Sequence, residues 1–267
     1  MKNLLKIENY EKGIIIERLN RFVVKGKIKN KPVLAHLNNT GRLEDFLNKG
    51  KVGLFLPIEN KLKFRLSMIH EDKNIYSIID TQLQMKCFEI ALEKEYISWL
   101  KGAKILKRNF RINDSLIDYL IQRKNKKYLL EVKSAVMKYK NFAMYPDCPS
   151  IRGQKHIKEL IDIQTLQTER RLGGKMFVQT KNKDISVNPH IQYPRLSALY
   201  PYKSVVLFIA GMKNISSFSP NKNADPKIYE LLKISKNKGV KIKSIQIYFD
   251  EKRKNVILKN DNLPVIL

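Results

Sequence analysis

The amino-acid sequence predicts a chain of two parts, a small β-barrel or β-sandwich followed by an α/β region. Up to residue 80 the chain is a series of short apolar runs separated by turn residues and charges, which is typical of β-strands. After Thr81 apolar residues recur three and four positions apart, as on one face of a helix. With 267 residues, the chain is long enough for one or two domains.

Six short strands are predicted in the first part. Phe64, Leu66 and Met68 alternate with polar or charged residues, as expected for a strand with one face on a core and the other in water. Residues 36–41 form a loop rich in hydrogen-bonding groups that we expect to lead into a short helix, with Thr40 either as its cap or as a ligand contact. The predicted strands are residues 14–16, 22–24, 33–35, 53–56, 61–69 and 75–79.

The second part begins with a helix whose apolar face is Met85, Phe88, Leu92, Tyr96 and Leu100. A domain boundary near residue 82 follows, with domains at residues 1–82 and 83–267. Residues 170–203, with two glycines, three prolines and little periodicity, are predicted to be an insertion. The remaining elements are strands at 105–110, 116–121, 128–132, 205–210 and 240–249 and helices at 151–168 and 226–237.

The chain is strongly basic, with 52 Lys and Arg against 25 Asp and Glu, a formal net charge of +27. Clustered Lys and Arg displace the counterions that condense on a nucleic-acid backbone, so the charge predicts a nucleic-acid partner, DNA before RNA. The alternative is a solvated surface, because many lysines stand beside asparagine, as at residues 29–31 and 236–238. The oligomeric state stays open, and a homodimer is compatible with the sequence.

Several classes of protein are excluded by what the sequence lacks. Its two cysteines are far apart and its four histidines are scattered, which argues against a structural zinc site. The first residues lack the apolar core of a signal peptide, and the longest apolar run, residues 205–210, is far shorter than a membrane span. We therefore expect a cytoplasmic protein with no membrane partner.

Two strands joined by a polar, basic turn, residues 116–121 and 128–134, are predicted to pair as an antiparallel hairpin. Asp118 then lies opposite Glu131, and Lys133 shares the face of Glu131 because alternate residues of a strand point the same way. Phosphodiester hydrolysis needs such a set: oxygen ligands for Mg²⁺ or Mn²⁺, and a cation beside the attacking water. The alternative is an ordinary exposed ion pair on an edge strand.

The second part contains, in order, an Asp, Glu-x-Lys across a hairpin, and a helix with Arg152, Gln154, Lys155 and His156. This order resembles the PD-(D/E)xK core of restriction endonucleases. Further characteristic segments lie at residues 17–22, 35–43, 80–81, 131–134, 143–147, 152–156 and 223–226. In these segments the sequence resembles the sugar fermentation stimulation proteins. That resemblance implies an OB-fold-like β-barrel followed by a restriction-endonuclease-like mixed sheet flanked by helices. The family usually has Pro at the position of Asn38. It also usually has Arg at the position of Leu116, and the loss of this arginine would remove one phosphate contact.

The resemblance implies Asp118, Glu131 and Lys133 as the catalytic residues. Asp118, Glu131 and the Val132 carbonyl would hold Mg²⁺ or Mn²⁺, and Lys133 would stand beside the attacking water. Three functions stay open: a metal-dependent nuclease, a DNA-binding regulator without catalysis, and an RNA-binding or RNA-processing protein.

Arginines beside turns of the first part are predicted to hold phosphate, because a guanidinium fork matches phosphate oxygens. Basic residues in the first two turns of the helix at 151–168 lie near the backbone amides that attract anions. Asp147 is either a third acidic group at the site or part of the turn before that helix, and His156 either contacts phosphate or is structural. The predicted nucleic-acid contacts are Arg18, Arg21, His36, Asn38, Arg42, Arg152 and Lys155.

Overall fold

The computed structural model describes residues 1–112, 115–171 and 202–267, with the backbone alone at 169–171. The first strands are β1 (Lys2–Lys6), β2 (Glu11–Asn20), β3 (Val23–Ile28), β4 (Lys31–His36), β5 (Val52–Pro57), β6 (Phe64–Asp72) and β7 (Ile75–Ile78). After helix α1 (Thr81–Glu93) come β8 (Ala103–Ile112), β9 (Ser115–Arg123), β10 (Lys126–Ala135), β11 (Met137–Tyr139) and β12 (Phe142–Tyr145). The last elements are α2 (Ile151–Arg171), β13 (Tyr202–Ala210), β14 (Ser217–Pro220), α3 (Pro226–Asn237), β15 (Lys241–Asp250) and β16 (Asn255–Asn260).

Strands β2 to β6 close into a five-stranded barrel of the OB type, which confirms what the family resemblance implies. Their order is β4-β3-β2-β5-β6, and β4 pairs in parallel with β6 to close the ring. Inward residues such as Ile15 and Val24 are fully buried, while the ring of Phe55 fills the interior against Gly13 and Gly26. A Cβ at either glycine would stand 2.8 Å from that ring, so the barrel is closed around Phe55 only because both positions lack a side chain.

The barrel continues into a mixed sheet in the order β7-β15-β13-β10-β9-β8, with β16 and then β1 beside β15. Strands β10, β13 and β15 are parallel, and β9 and β8 are antiparallel to their neighbours. One face packs with α1 and the other with α2 and α3: Leu130 shares a core with Phe88, and Leu129 shares one with Ile157. A second sheet has the order β11-β12-β14. This confirms the predicted mixed sheet flanked by helices.

Two predicted helices differ from the structure. The helix expected to reach Leu100 ends at Glu93, because Lys94 caps it and Glu95 turns the backbone into the left-handed region at φ 54°. Leu100 then lies in a separate 3₁₀ turn. The prediction of a short helix after residues 36–41 is wrong. Residues 37–51, all of them described, form turns and irregular backbone. The exposed Thr40 therefore caps no helix there.

Several strands were not predicted, namely β1, β11, β12, β14 and β16. The predicted insertion at 170–203 lies, apart from its ends in α2 and β13, outside the described residues. The division into domains at residue 82 stays a prediction, because strands on both sides of it join one hydrogen-bonded sheet. Among the described helices, none has the length and apolar character needed to cross a membrane.

Candidate active site

The candidate site lies where strand β9 parts from β10. The backbone ladder between them runs from Arg123 opposite Lys126 to Tyr119 opposite Leu130. Beyond this point the backbone amides bond to carboxylates instead of to backbone carbonyls. The Val132 amide donates to Asp118 Oδ2 at 2.7 Å, and the Asp118 amide donates to Glu131 Oε2 at 3.3 Å. The two acidic side chains therefore lie opposite each other, each fixed by a backbone amide of the facing strand.

Glu131 is almost completely buried and is bonded from two sides. The Lys133 ammonium donates to its Oε1 at 2.6 Å, and His156 Nδ1, reaching in from α2, hydrogen-bonds to the same oxygen. The Lys133 side chain is only 11% exposed, and β10 lies between β9 and β13 inside the sheet. The alternative of an exposed ion pair on an edge strand is therefore wrong.

The surroundings separate the acidities of the two carboxyl groups. Burial, and then the charge of Glu131, raise the pKa of Asp118 to about 6. Burial alone would raise the pKa of Glu131 too, but Lys133 and His156 outweigh it and lower that pKa. For Lys133, burial opposes the charged form, yet the Glu131 carboxylate raises its pKa, so the ammonium persists at neutral pH. A pair of carboxyl groups with acidities pushed apart is the arrangement that acid–base chemistry uses.

The amino end of α2 is held by capping bonds that connect it to α3. Ser150 Oγ accepts from the Gly153 amide at 3.1 Å, which caps the helix, while the Ser150 amide donates to Asp225 at 2.9 Å. Asp225 also accepts from the Gln154 side chain and caps α3 through the Ile228 amide at 3.0 Å. Asp225 thus fixes the starts of both helices beside the site.

Tyr145 is a site residue that the sequence analysis did not single out. It lies at the end of β12, and its hydroxyl oxygen would stand 2.5 Å from a Cβ placed on Gly153. Burial raises the pKa of Tyr145, while the nearby Lys133 ammonium lowers it. Gly153 therefore leaves the space in which this hydroxyl stands close to Lys133. Tyr145 and Asp225 both lie in segments that carry the family resemblance, and that resemblance was the sequence signal that could have indicated them.

The chemistry of the donors suits a hard divalent cation. Among the described residues, no group of three or more His, Cys, Asp and Glu side chains is arranged to hold a metal ion. However, Mg²⁺ in proteins is usually held by one or two carboxylates and keeps several waters. The Asp118 and Glu131 carboxylates, which lie opposite each other, satisfy that smaller requirement. The Val132 carbonyl stays the third ligand that the family resemblance implies.

Comparison with known proteins places this chain in a family. The model of the sugar fermentation stimulation protein RE domain matches residues 82–200 and 190–253, and the model of the N-terminal OB domain matches residues 16–78. The chain belongs to the sugar fermentation stimulation protein family. A homologue from Pyrococcus furiosus is 35% identical over 237 residues, 89% of this chain and 88% of the relative.

Two further relatives cover nearly the whole chain. A sugar fermentation stimulation protein homologue from Archaeoglobus fulgidus is 36% identical over 266 residues, 99% of each chain. The solved structure of Pyrococcus furiosus SfsA, described as a complex with Ca²⁺, matches with a TM-score of 0.82 and 34% identity over 100% of both chains. The fold described above is therefore the fold of this family.

In this family member, two residues predicted to bind nucleic acid are used inside the protein. The Arg18 guanidinium donates to four carbonyl oxygens, those of Asn20, Arg21, Gly41 and Arg42, at 2.6–3.1 Å. The Asn38 side chain reaches Asp80 and Thr81 at the start of α1 at 3.2 and 3.3 Å. Arg18 therefore holds the β2–β3 turn against the loop at residues 41–42.

The carboxylate of Asp147 binds the barrel. Its Oδ2 accepts from the Leu43 amide at 2.8 Å, and its oxygens would stand 2.6 and 2.7 Å from a Cβ on Gly41. This contact ties the loop at residues 41–43 to the segment after β12, and it gives no support to Asp147 as a third acidic group at the site. The remaining predicted contacts are distributed as follows: Arg21, Arg42, Arg152 and Lys155 are exposed, and His36 is half-buried on β4.

Proposed function

We propose that this chain is a nucleic-acid-binding protein with a divalent-metal site of nuclease type that hydrolyses phosphodiester bonds, with DNA as its main substrate. The observation that carries the proposal is the set of Asp118, Glu131 and Lys133 at the point where β9 leaves β10, in which Glu131 is buried and the other two are partly buried. Keeping two carboxyl groups and an ammonium out of water is costly, and functional sites are the usual reason for such an arrangement.

The charge and its position support binding to nucleic acid. The chain has 27 more basic than acidic side chains. Arg42 is exposed on the barrel loop that contacts Asp147, and Arg152 is exposed in the first turn of α2, whose later residue His156 reaches Glu131. Phosphates bound by these two arginines would lie along the site. The barrel and the mixed sheet would therefore bind the same nucleic-acid strand.

Mg²⁺ or Mn²⁺ is the proposed cofactor, with Asp118, Glu131 and the Val132 carbonyl as its protein ligands. Such a cation would polarise the scissile phosphate and make a bound water more acidic. The description of the Pyrococcus furiosus relative as a Ca²⁺ complex supports this, because Ca²⁺ and Mg²⁺ both prefer oxygen ligands.

The residues of the chain have separate tasks in the proposed reaction. Lys133 keeps its charge and stands beside Glu131, where an ammonium can hold the attacking water and offset negative charge that develops on the phosphate. Asp118, which faces Glu131 across the hairpin, would serve as an ionised ligand of the cation, because a bound divalent cation favours the charged carboxylate. His156 fixes the orientation of Glu131 from the opposite side.

A DNA-binding regulator without catalysis is the second candidate. The observation that favours it is that both oxygens of Glu131 are engaged within the protein, Oε1 by Lys133 and His156 and Oε2 by the Asp118 amide. In such a protein the same groups would keep the scaffold rigid. Binding to RNA instead of DNA is a third outcome, which competition between DNA and RNA of equal length separates.

The test incubates wild type, Asp118→Asn and a control, Asp72→Asn, with supercoiled, linear and single-stranded DNA in Mg²⁺, Mn²⁺ or EDTA. Asp72 is exposed on β6, so its replacement makes the same chemical change away from the candidate site. We expect metal-dependent cleavage by wild type and Asp72→Asn, and binding without cleavage by Asp118→Asn. Binding without cleavage in every lane would assign the regulator, and the absence of nucleic-acid binding would refute both functions.

A further inference from the structure

Exposed apolar side chains are concentrated on one part of the barrel. Phe22, in the turn between β2 and β3, is 50% exposed, and Leu19, Leu34 and Ile14 are 48%, 45% and 46% exposed. Leu34 and Ile14 stand opposite Lys25 and Lys27 on neighbouring strands, on the outer side of β2, β3 and β4. We call Phe22 and these outward positions the barrel rim. A cluster of exposed apolar groups is typical of a binding surface.

The barrel rim is also strongly basic. Residues 12–36 include seven Lys and Arg and a single acidic residue, Glu17. The Arg21 guanidinium lies 5.9 Å from the centre of the Phe22 ring. Apolar and aromatic groups interleaved with cations complement a ligand that carries both flat apolar bases and phosphates. A single strand offers both, whereas a duplex hides the faces of its bases in the stack.

A series of contacts connects the barrel rim to the candidate active site. Arg18 bonds the carbonyls of the Phe22 turn with its Nε and Nη2 and those of Gly41 and Arg42 with its Nη1. The same loop donates from the Leu43 amide to Asp147, two residues beyond Tyr145, which stands near Lys133. A strand bound at the turn would therefore continue toward the carboxylates.

From these contacts we infer that the barrel rim binds single-stranded nucleic acid by stacking a base on Phe22, so that the protein binds single strands more tightly than duplex. The inference rests on the proposed function and names the substrate class of that site. It assigns Phe22 as the base-stacking residue and the exposed Lys27 as a phosphate contact, whereas Lys25 pairs with Glu17 at 3.5 Å.

The test measures the fluorescence anisotropy of a labelled oligothymidylate of about 16 nucleotides, the upper end of the site size of one OB fold, and of a duplex of equal length. All titrations contain EDTA, so cleavage plays no part. Stacking of one base contributes about 1–3 kcal/mol, so Phe22→Ala should weaken single-strand binding by about 10-fold and duplex binding by less than about 2-fold. Phe22→Tyr should keep the affinity of wild type.

Tyr139→Ala is the matched control. Tyr139 is also an exposed aromatic residue, 57% accessible, with a lysine ammonium, that of Lys140, 5.6 Å from its ring centre, but it lies on β11 outside the barrel. We expect its replacement to leave both affinities unchanged. If Tyr139→Ala weakens single-strand binding as much as Phe22→Ala, the assignment to Phe22 is overturned.

The other outcomes separate this inference from the proposed function. Tight duplex binding with no preference for the single strand, or with Phe22→Ala unchanged, overturns the inference and leaves the proposed function intact. Failure of both nucleic acids to bind overturns both. If Phe22→Ala instead abolishes a dimer seen by analytical ultracentrifugation and leaves oligonucleotide binding unchanged, the barrel rim is an interface between two copies of this chain and the inference is wrong.

Discussion

Replacing Asp118 with asparagine is expected to stabilise the metal-free protein at pH 8 even though it should abolish cleavage. The Asp118 carboxyl is half-buried opposite Glu131, and burial together with that neighbouring charge raises its pKa to about 6. Above that pH the folded protein must keep the carboxyl ionised in surroundings that disfavour its charge. Asparagine removes the charge and keeps an oxygen that can accept from the Val132 amide, which now donates at 2.7 Å.

The size of the effect follows from the two pKa values of this carboxyl, about 6 in the folded protein against its ordinary 3.8. A difference of roughly two units corresponds to about 3 kcal/mol. Because the folded pKa is the higher one, the carboxyl favours folding below pH 3.8, and that contribution is lost as the pH rises through 6. The advantage of asparagine should thus be absent near pH 4 and complete above pH 7, where it corresponds to about 5 °C in Tm.

The assay is thermal unfolding of wild type, Asp118→Asn and Asp72→Asn in EDTA at pH 4, 6 and 8. Only Asp118→Asn should gain stability with rising pH relative to wild type. Adding Mg²⁺ or Mn²⁺ should then raise the Tm of wild type, since a ligand that binds the folded state stabilises it, and leave Asp118→Asn unchanged. A variant that is less stable than wild type at pH 8, or a gap of equal size at all three pH values, would refute the reasoning.

Three further predictions concern contacts inside the fold. Lys133→Met should cost about 3–5 kcal/mol in urea unfolding because it leaves the buried Glu131 carboxylate without its ammonium, and adding Glu131→Gln should recover most of that loss. Arg18→Ala should speed hydrogen exchange at the Leu43 amide, because the loop loses the bonds that hold it; unchanged exchange would contradict this. Asp80→Ala should cost at least about 2 kcal/mol in urea unfolding, since its buried carboxylate caps α1 and also pairs with Arg65, and Asp80→Asn, which can keep the cap but loses the ion pair, should cost less.

Elements with local signals could be predicted from the sequence. The predicted helix at 226–237 has the bounds of α3, because Asp225 caps it and Pro226 stands at its first position. Apolar spacing alone predicts the end of α1 too far along the chain. Leu100 packs in the same core as Phe88, but it does so from a separate 3₁₀ turn. Strand β1 pairs with β16 at the far end of the chain, and no local pattern encodes so distant a partner.

The residues of the candidate site also fall into two groups, those that local sequence signals predict and those that only the fold brings together. Asp118 and Glu131 could be brought together from sequence because a two-residue turn, with Lys124 at φ 52°, sets the register of the hairpin that carries them. Tyr145 and Asp225 reach the site from β12 and from the start of α3, and only packing of the whole domain brings them there. Spacing along the chain can therefore predict the pair of carboxylates but not the groups that surround it.

Arg18 shows why arginine patterns near turns are ambiguous. A guanidinium fork that binds phosphate and one that binds backbone carbonyls need the same thing, oxygen acceptors in the plane of the fork. The sequence predicts a phosphate contact for Arg18, whereas in the structure Arg18 joins the Phe22 turn to the loop at residues 41–42. Loss of nucleic-acid binding in Arg18→Ala would thus report a displaced loop as readily as a lost phosphate contact. Arg21 is exposed, so a loss in Arg21→Ala with unchanged exchange at the Leu43 amide would identify a phosphate contact directly.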